Sequence, residues 1–156
     1  MRGSPAILLV DDDSNDVAIA LRALRRAGLD GNVHVESDGP RALSYLGIEP
    51  AQPRAFRPVP QVVFLDLKMP RMDGWEVLQR IRQNERTRGV PVVVVSTSRN
   101  PEDIDRCYSA GANSFLVKRF DEVRPGNYLV EAAHYWLNLN EMPPTPSTLD
   151  GGATHA

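Results

Sequence analysis

Residues 7–16 read ILLVDDDSND: four apolar residues run directly into Asp11, Asp12 and Asp13, and a fourth acid, Asp16, follows three positions later. Adjacent carboxylates repel one another, and burying one without a partner raises its pKa or costs several kcal/mol. Positive charge is therefore required where this apolar run ends. Three other apolar runs end in a polar residue in the same way. VVFLD ends in Asp66, VVVVS in Ser96 and FLVK in Lys118. A nucleophile-capable carboxylate, a hydroxyl and an ammonium thus join the acidic group, provided that the fold gathers the ends of these four runs.

The elements that would gather them alternate along the chain. AILLV at 6–10 precedes DVAIALRALRRAG, where Val17, Ala20, Leu21, Leu24 and Ala27 recur at helical spacing and Gly28 supplies a stop. NVHVE reads as a short alternating strand, and GPRALSYLG as a short helix with Pro40 in its first turn. Pro50, Pro53, Pro58 and Pro60 make the next stretch a long loop. VVFLDLKMPRMDGWEVLQRIRQ is a strand, a loop and a helix with Trp75, Val77, Leu78 and Ile81 on its apolar face. PVVVVSTS lacks alternation, as a strand covered on both faces should. The residues from Asn100 to Asp103 look like a helix start, NSFLVKR like a fifth strand, and EVRPGNYLVEAAHYWLNLN contains the last helix. Five such βα units imply a parallel sheet in an α/β sandwich with right-handed crossovers. Polar residues at the carboxyl ends of its strands then lie on the edge where open α/β sheets bind ligands.

Bulk properties narrow the function. The chain has 156 residues, 42% hydrophobic and 24% charged, which suits one globular domain. A net charge of −2 with scattered basic residues provides no footprint for nucleic acid or an anionic membrane. No secretory leader or apolar run of spanning length is present, so a cytoplasmic location is expected. Cys107 is the sole cysteine, which excludes an intrachain disulfide and a cysteine metal site.

The combination of LLVDDD, VVFLDLKMPRMDGWEVL, VVVVSTS and AGANSFLVK resembles the receiver domain of two-component response regulators. Its spacing agrees, with 54 residues from Asp12 to Asp66, 30 from Asp66 to Ser96 and 22 from Ser96 to Lys118. The resemblance spans about residues 5–139 and leaves 140–156, rich in Pro, Gly and Thr, as a tail or arm. It implies a flavodoxin-like (βα)5 fold, a doubly wound parallel sheet of strand order 2-1-3-4-5. It implies Asp66 as phosphoacceptor for a phosphohistidine on a sensor histidine kinase. It also implies Mg2+ held by Asp12, Asp66 and the Lys68 carbonyl, with Asp11 reaching the ion through water. Lys118 would bind one phosphoryl oxygen and Ser96 another, each idle until the phosphoryl arrives. Phe115 falls on the family's aromatic switch position. The chain would be a signalling phosphoacceptor that promotes its own phosphorylation and dephosphorylation, not an enzyme acting on other substrates.

Two features depart from that pattern. Arg119 stands where the family has proline after the lysine, and no output domain follows the receiver, so output would pass through protein contacts. The long proline-rich loop, NPEDIDRCYSAGANSFLVK and the helix ending YWLNLN resemble single-domain regulators paired with bacterial phytochrome kinases. The apolar width of the last helix suggests a homodimer, with Tyr128, Tyr135, Trp136 and Leu139 as contacts. The competing chemistry is an aspartate-nucleophile phosphatase of haloacid-dehalogenase type, using Asp11 as nucleophile and Asp13 as acid. That family needs a further acidic pair at a strand end after its lysine, and only Asp121 and Glu122 follow here. A receiver that dimerises without phosphorylation is disfavoured, because the acidic residues are all present.

Simpler roles exist for each residue taken singly. Asp13 or Ser14 suits an N-cap of the first helix, Lys118 a solvated charge and Ser96 a turn hydroxyl. His34, His134 and His155 have no spaced partner for a ligand role, and Trp75, Tyr135 and Trp136 read as packing residues.

Overall fold

The computed structural model describes residues 5–48, 58–119 and 123–144. The elements are β1 (Ile7–Val10), α1 (Ser14–Arg26), β2 (Val33–Glu36), α2 (Gly39–Tyr45), β3 (Val62–Asp66), α3 (Gly74–Gln83), β4 (Val92–Ser96), α4 (Pro101–Ser109), β5 (Ser114–Val117) and α5 (Asn127–His134). A 3-10 turn spans Asp30–Asn32, and a π-helical turn, Tyr135–Leu139, extends α5. The five strands pair in parallel in the order β2-β1-β3-β4-β5, the flavodoxin-like arrangement expected.

Strand alternation divides the core in two. Leu8, Val10, Val63, Leu65, Val92 and Val94 meet α2, α3 and α4, whereas Ile7, Leu9, Val62, Phe64, Val93 and Val95 meet α1 and α5. The unalternating runs of β1, β3 and β4 thus record burial on both faces. Helix starts follow their polar residues. Asp13, Asp38, Asp73 and Asn100 accept hydrogen bonds from the first-turn N–H groups of α1, α2, α3 and α4. Of the two candidates Asp13 and Ser14, Asp13 is the cap of α1.

Four local details add to these expectations. β2 alternates as expected, with Val33 and Val35 packed against the α1/α5 core and His34 and Glu36 on the other face, though all four residues are half-buried because β2 lies at a sheet edge. His34 does have partners: its Nε2 lies 2.8 Å from Glu36 Oε1, and its ring stacks on Tyr45 at 3.9 Å between centroids. Residues i and i+2 share a strand face, and the fold of α2 back over β2 brings in Tyr45. The last helix is α-helical only to His134 before the π-helical turn. The start of the tail lies against the domain, since a Cβ on Gly89 would come 3.1 Å from Pro143 Cγ. The centre of the proline-rich loop (49–57), the acidic pair at 121–122 and the tail from 145 lie outside the described residues. Among the described residues no helix is long and apolar enough to cross a membrane.

Candidate functional site

Sheet register assembles the strand-end residues. Val10 is level with Leu65, so Asp11 and Asp66 follow at the same edge. Asp66 is level with Val95, and Ser96 with Val117, which places Ser96 and Lys118 one position further along neighbouring strands. The β3–α3 loop returns close beneath the site: a Cβ on Gly74 would collide with the Asp66 carbonyl oxygen. Gly74 begins α3, and its N–H donates to the Leu67 carbonyl, so absence of a side chain permits this approach.

Asp11, Asp66, Ser96 and Lys118 are buried, while Asp12 is exposed. One carboxylate oxygen from each of Asp11, Asp12 and Asp66 lies within 4.8 Å of the others. Three hard oxygen donors at that spacing fit a divalent cation with remaining positions open to water. An open polar cleft of ≈ 490 Å³ lies over Asp12 and Asp66, lined also by Asp13, Asp16, Lys68, Ser96 and Lys118. The cleft leaves room for a tetrahedral anion beside the carboxylates.

Lys118 is already engaged, contrary to the expectation that it stays idle until a phosphoryl arrives. Its Nζ donates to Asp16 Oδ2 at 2.7 Å and Asp11 Oδ2 at 3.0 Å, and lies 3.5 Å from Asp66 Oδ1. The acidic group is therefore partly compensated without a cation, because a buried ammonium needs acceptors as much as buried carboxylates need donors. Burial opposes the Lys118 charge, but the hydrogen bond to Asp16 and the charges of Asp66 and Asp11 outweigh it and raise its pKa. Asp66 responds in the other direction. Burial first, then the charges of Asp11 and Asp12, push its carboxyl from 3.8 up to about 7, against the opposing pull of Lys118.

Asp13 does not join the cluster. Its Oδ1 caps α1 through Asn15 N and Asp16 N, and its own N–H donates to Asp11 Oδ1. Asp16, which the spacing of the family motif leaves without a role, is brought in by the first turn of α1. Its signal in the sequence was an acid three positions after the cap. Ser96 Oγ accepts from Ser98 N at 3.1 Å, and Ser98 Oγ donates to Asp103 Oδ2 on α4 at 2.6 Å. Phe115 is half-buried on the sheet face that meets α4. The dimer candidates separate: Tyr128 and Trp136 pack partly buried against the α1/α5 core, whereas Tyr135 and Leu139 are 49% and 74% exposed.

A model of the response regulator receiver domain matches residues 7–126. A "Probable methanogenesis regulatory protein FilR2" of Methanothrix harundinacea is 38% identical over 139 residues, covering 88% of this chain and 86% of that protein. Response regulator Rcp1 of Synechocystis is 34% identical over 137 residues, covering 88% and 92%. The Mn2+-bound form of Rcp1 matches with a TM-score of 0.73 at 30% identity, over 88% of this chain and 98% of that one. The phosphorylated cyanobacterial phytochrome response regulator RcpA matches with a TM-score of 0.79 at 30% identity, over 91% and 100%. The chain belongs to the response regulator receiver family, whose members are signalling proteins. The phosphatase alternative has no support, and its required acid, Asp13, is spent on capping a helix.

Proposed function

We propose that Asp66 is the phosphoacceptor of this receiver, taking its phosphoryl group from a phosphohistidine on a sensor histidine kinase. A carboxylate oxygen of Asp66 attacks phosphorus in line, forming the P–O bond as the P–N bond breaks and the imidazole leaves. Little covalent help is needed beyond positioning and charge neutralisation. The observation that carries this reading is the meeting of buried Asp66 with Asp11, Asp12 and Lys118 on an open polar cleft. Asp11, Asp12, Asp66 and the Lys68 carbonyl would hold Mg2+, which when bound neutralises charge on the phosphoryl oxygens. Lys118 would pair with one phosphoryl oxygen, and Ser96 would donate to another, giving up its contact with Ser98 N. Phe115 would then pack into the space that Ser96 leaves, and the altered surface would be read by a partner.

Similarity to Rcp1 and to the phytochrome response regulator RcpA favours a phytochrome-type photoreceptor kinase upstream. The protein would work in the cytoplasm as a homodimer, and it would promote its own phosphorylation and dephosphorylation. Incubation with acetyl phosphate and Mg2+, followed by intact mass measurement, should reveal one adduct of ~80 Da, the size of a single phosphoryl group. Asp66→Asn should abolish it, and chelation of the metal should suppress it. An adduct that persists in Asp66→Asn overturns the assignment.

A further inference from the structure

The shortest contact of the Lys118 ammonium is with Asp16, a residue outside the phosphoryl chemistry proposed above. Nζ donates to Asp16 at 2.7 Å and to Asp11 at 3.0 Å, but stands off from Asp66 at 3.5 Å, close enough for an ion pair and too far for a good hydrogen bond. An ammonium is a point charge with three donors on a flexible stem, so its acceptors decide where it rests. Asp16 lines the cleft, and its backbone is fixed independently of Lys118, because its own N–H is held by the Asp13 cap in the first turn of α1. It also lies outside the Asp11, Asp12, Asp66 group. A cation that takes one oxygen from each of those three carboxylates leaves the Lys118 contact with Asp16 undisturbed. The chain after Lys118 continues with Arg119, without the ring that restricts the backbone in the usual lysine–proline sequence.

We infer that Asp16 is a positioning residue for phosphoryl transfer, holding the Lys118 ammonium beside the Asp66 carboxylate instead of hydrogen-bonded to it. The inference rests on the reading of Asp66 as phosphoacceptor. Without the Asp16 carboxylate, the ammonium closes on Asp66 and Asp11. It then occupies the nucleophile and competes with Mg2+ for the same oxygens. Asp16 thereby keeps one positive charge near enough to receive a phosphoryl oxygen while leaving Asp66 free to attack.

The test is a double-mutant cycle on the full chain, with acetyl phosphate as donor and Mg2+ binding measured separately by calorimetry. Asp16→Asn should slow the appearance of the ~80 Da adduct by about tenfold, the scale of one lost charge-assisted hydrogen bond, and weaken Mg2+ binding in the same direction. Asp16→Glu should recover most of the rate, since it keeps the carboxylate. In a Lys118→Met background, Asp16→Asn should change Mg2+ affinity by less than about twofold, because a positioning residue has nothing left to position. If the amide does not fold by circular dichroism, Asp16→Ser takes its place in the cycle. Acylation of Asp16→Asn at the wild-type rate overturns the inference, as does an equal loss of Mg2+ affinity with and without Lys118, which would mean that Asp16 acts through space or through folding. The two readings fail differently. A wild-type chain that gains no adduct removes the phosphoacceptor assignment, whereas a wild-type adduct at Asp66 with unaltered Asp16→Asn kinetics removes only the role of Asp16.

Discussion

Asp66 is held in a state that suits a nucleophile awaiting a cation: buried, beside two other acids and restrained by one ammonium. Its raised pKa sets a pH dependence whose sign is fixed. Between 3.8 and about 7 the unfolded chain releases the Asp66 proton while the folded, metal-free chain retains it. The folded state then binds more protons, so the contribution of Asp66 to stability is full below about pH 4 and is lost as pH rises toward 7. Other carboxylates act in the opposite sense in acid, so the informative measurement is a comparison. Asp66→Asn should be more stable than the metal-free wild type at pH 7.5, by a few kcal/mol at most, and the difference should shrink toward pH 4 in parallel urea titrations. Mg2+ binding should weaken as pH falls below about 7, since the proton on Asp66 must leave first; calorimetric titrations at pH 6 and 8 would read this.

The site depends on elements far from the cleft. Arg82, in the last turn of α3, donates to the carbonyls of Gly111, Arg88 and Val90 and to Asn113 Oδ1. Asn113 Oδ1 also accepts from Val92 N at the start of β4. One guanidinium therefore ties α3 to the turn before β4 and to the α4–β5 turn, and so sets the level of the strands that end in Ser96 and Lys118. Arg82→Ala should cost about 2–3 kcal/mol in urea unfolding, because it leaves several acceptors without a charged donor. Arg82→Lys should recover only part of the loss, since a single ammonium cannot span the same fork. Near-complete recovery by lysine would show that charge, not geometry, is what α3 supplies.

Association of whole molecules falls to the surface that α5 and its π-helical turn leave uncovered. Tyr135 and Leu139 are exposed there, while Trp136 turns inward against the sheet. If the homodimer proposed above uses this face, Tyr135→Glu and Leu139→Glu should each give a folded monomer by light scattering at tens of micromolar. An interface aromatic can contribute ~2 kcal/mol or more, enough for one charge to separate the copies. Trp136→Glu should instead lower the melting temperature of the fold itself. A wild-type chain that is monomeric at the same concentration, before and after treatment with acetyl phosphate, would discard the dimer and leave this face for another partner.

Periodicity and composition were enough to determine the five βα units, the two-sided burial of β4 and four polar residues at strand ends, because burial and capping are local demands that each segment must meet by itself. The cap expected at Asn100 follows the same logic. Strand order was available only through resemblance to a family, since nothing local in β1 says that β3 and not β4 lies beside it. Capping preference and the family resemblance already set Asp13 apart from Asp11 and Asp12; tertiary structure alone brought in Asp16. Asp11 and Asp12 group with Asp66, Asp13 caps α1, and Asp16 returns one turn later to hold Lys118. The partners of a flexible ammonium are set by contacts between the start of α1 and the end of β5, more than 100 residues away in the chain. The same limit applied to α5, where Tyr135 and Trp136 look alike in an apolar run and only the packing of that segment against the core leaves one exposed and the other partly buried.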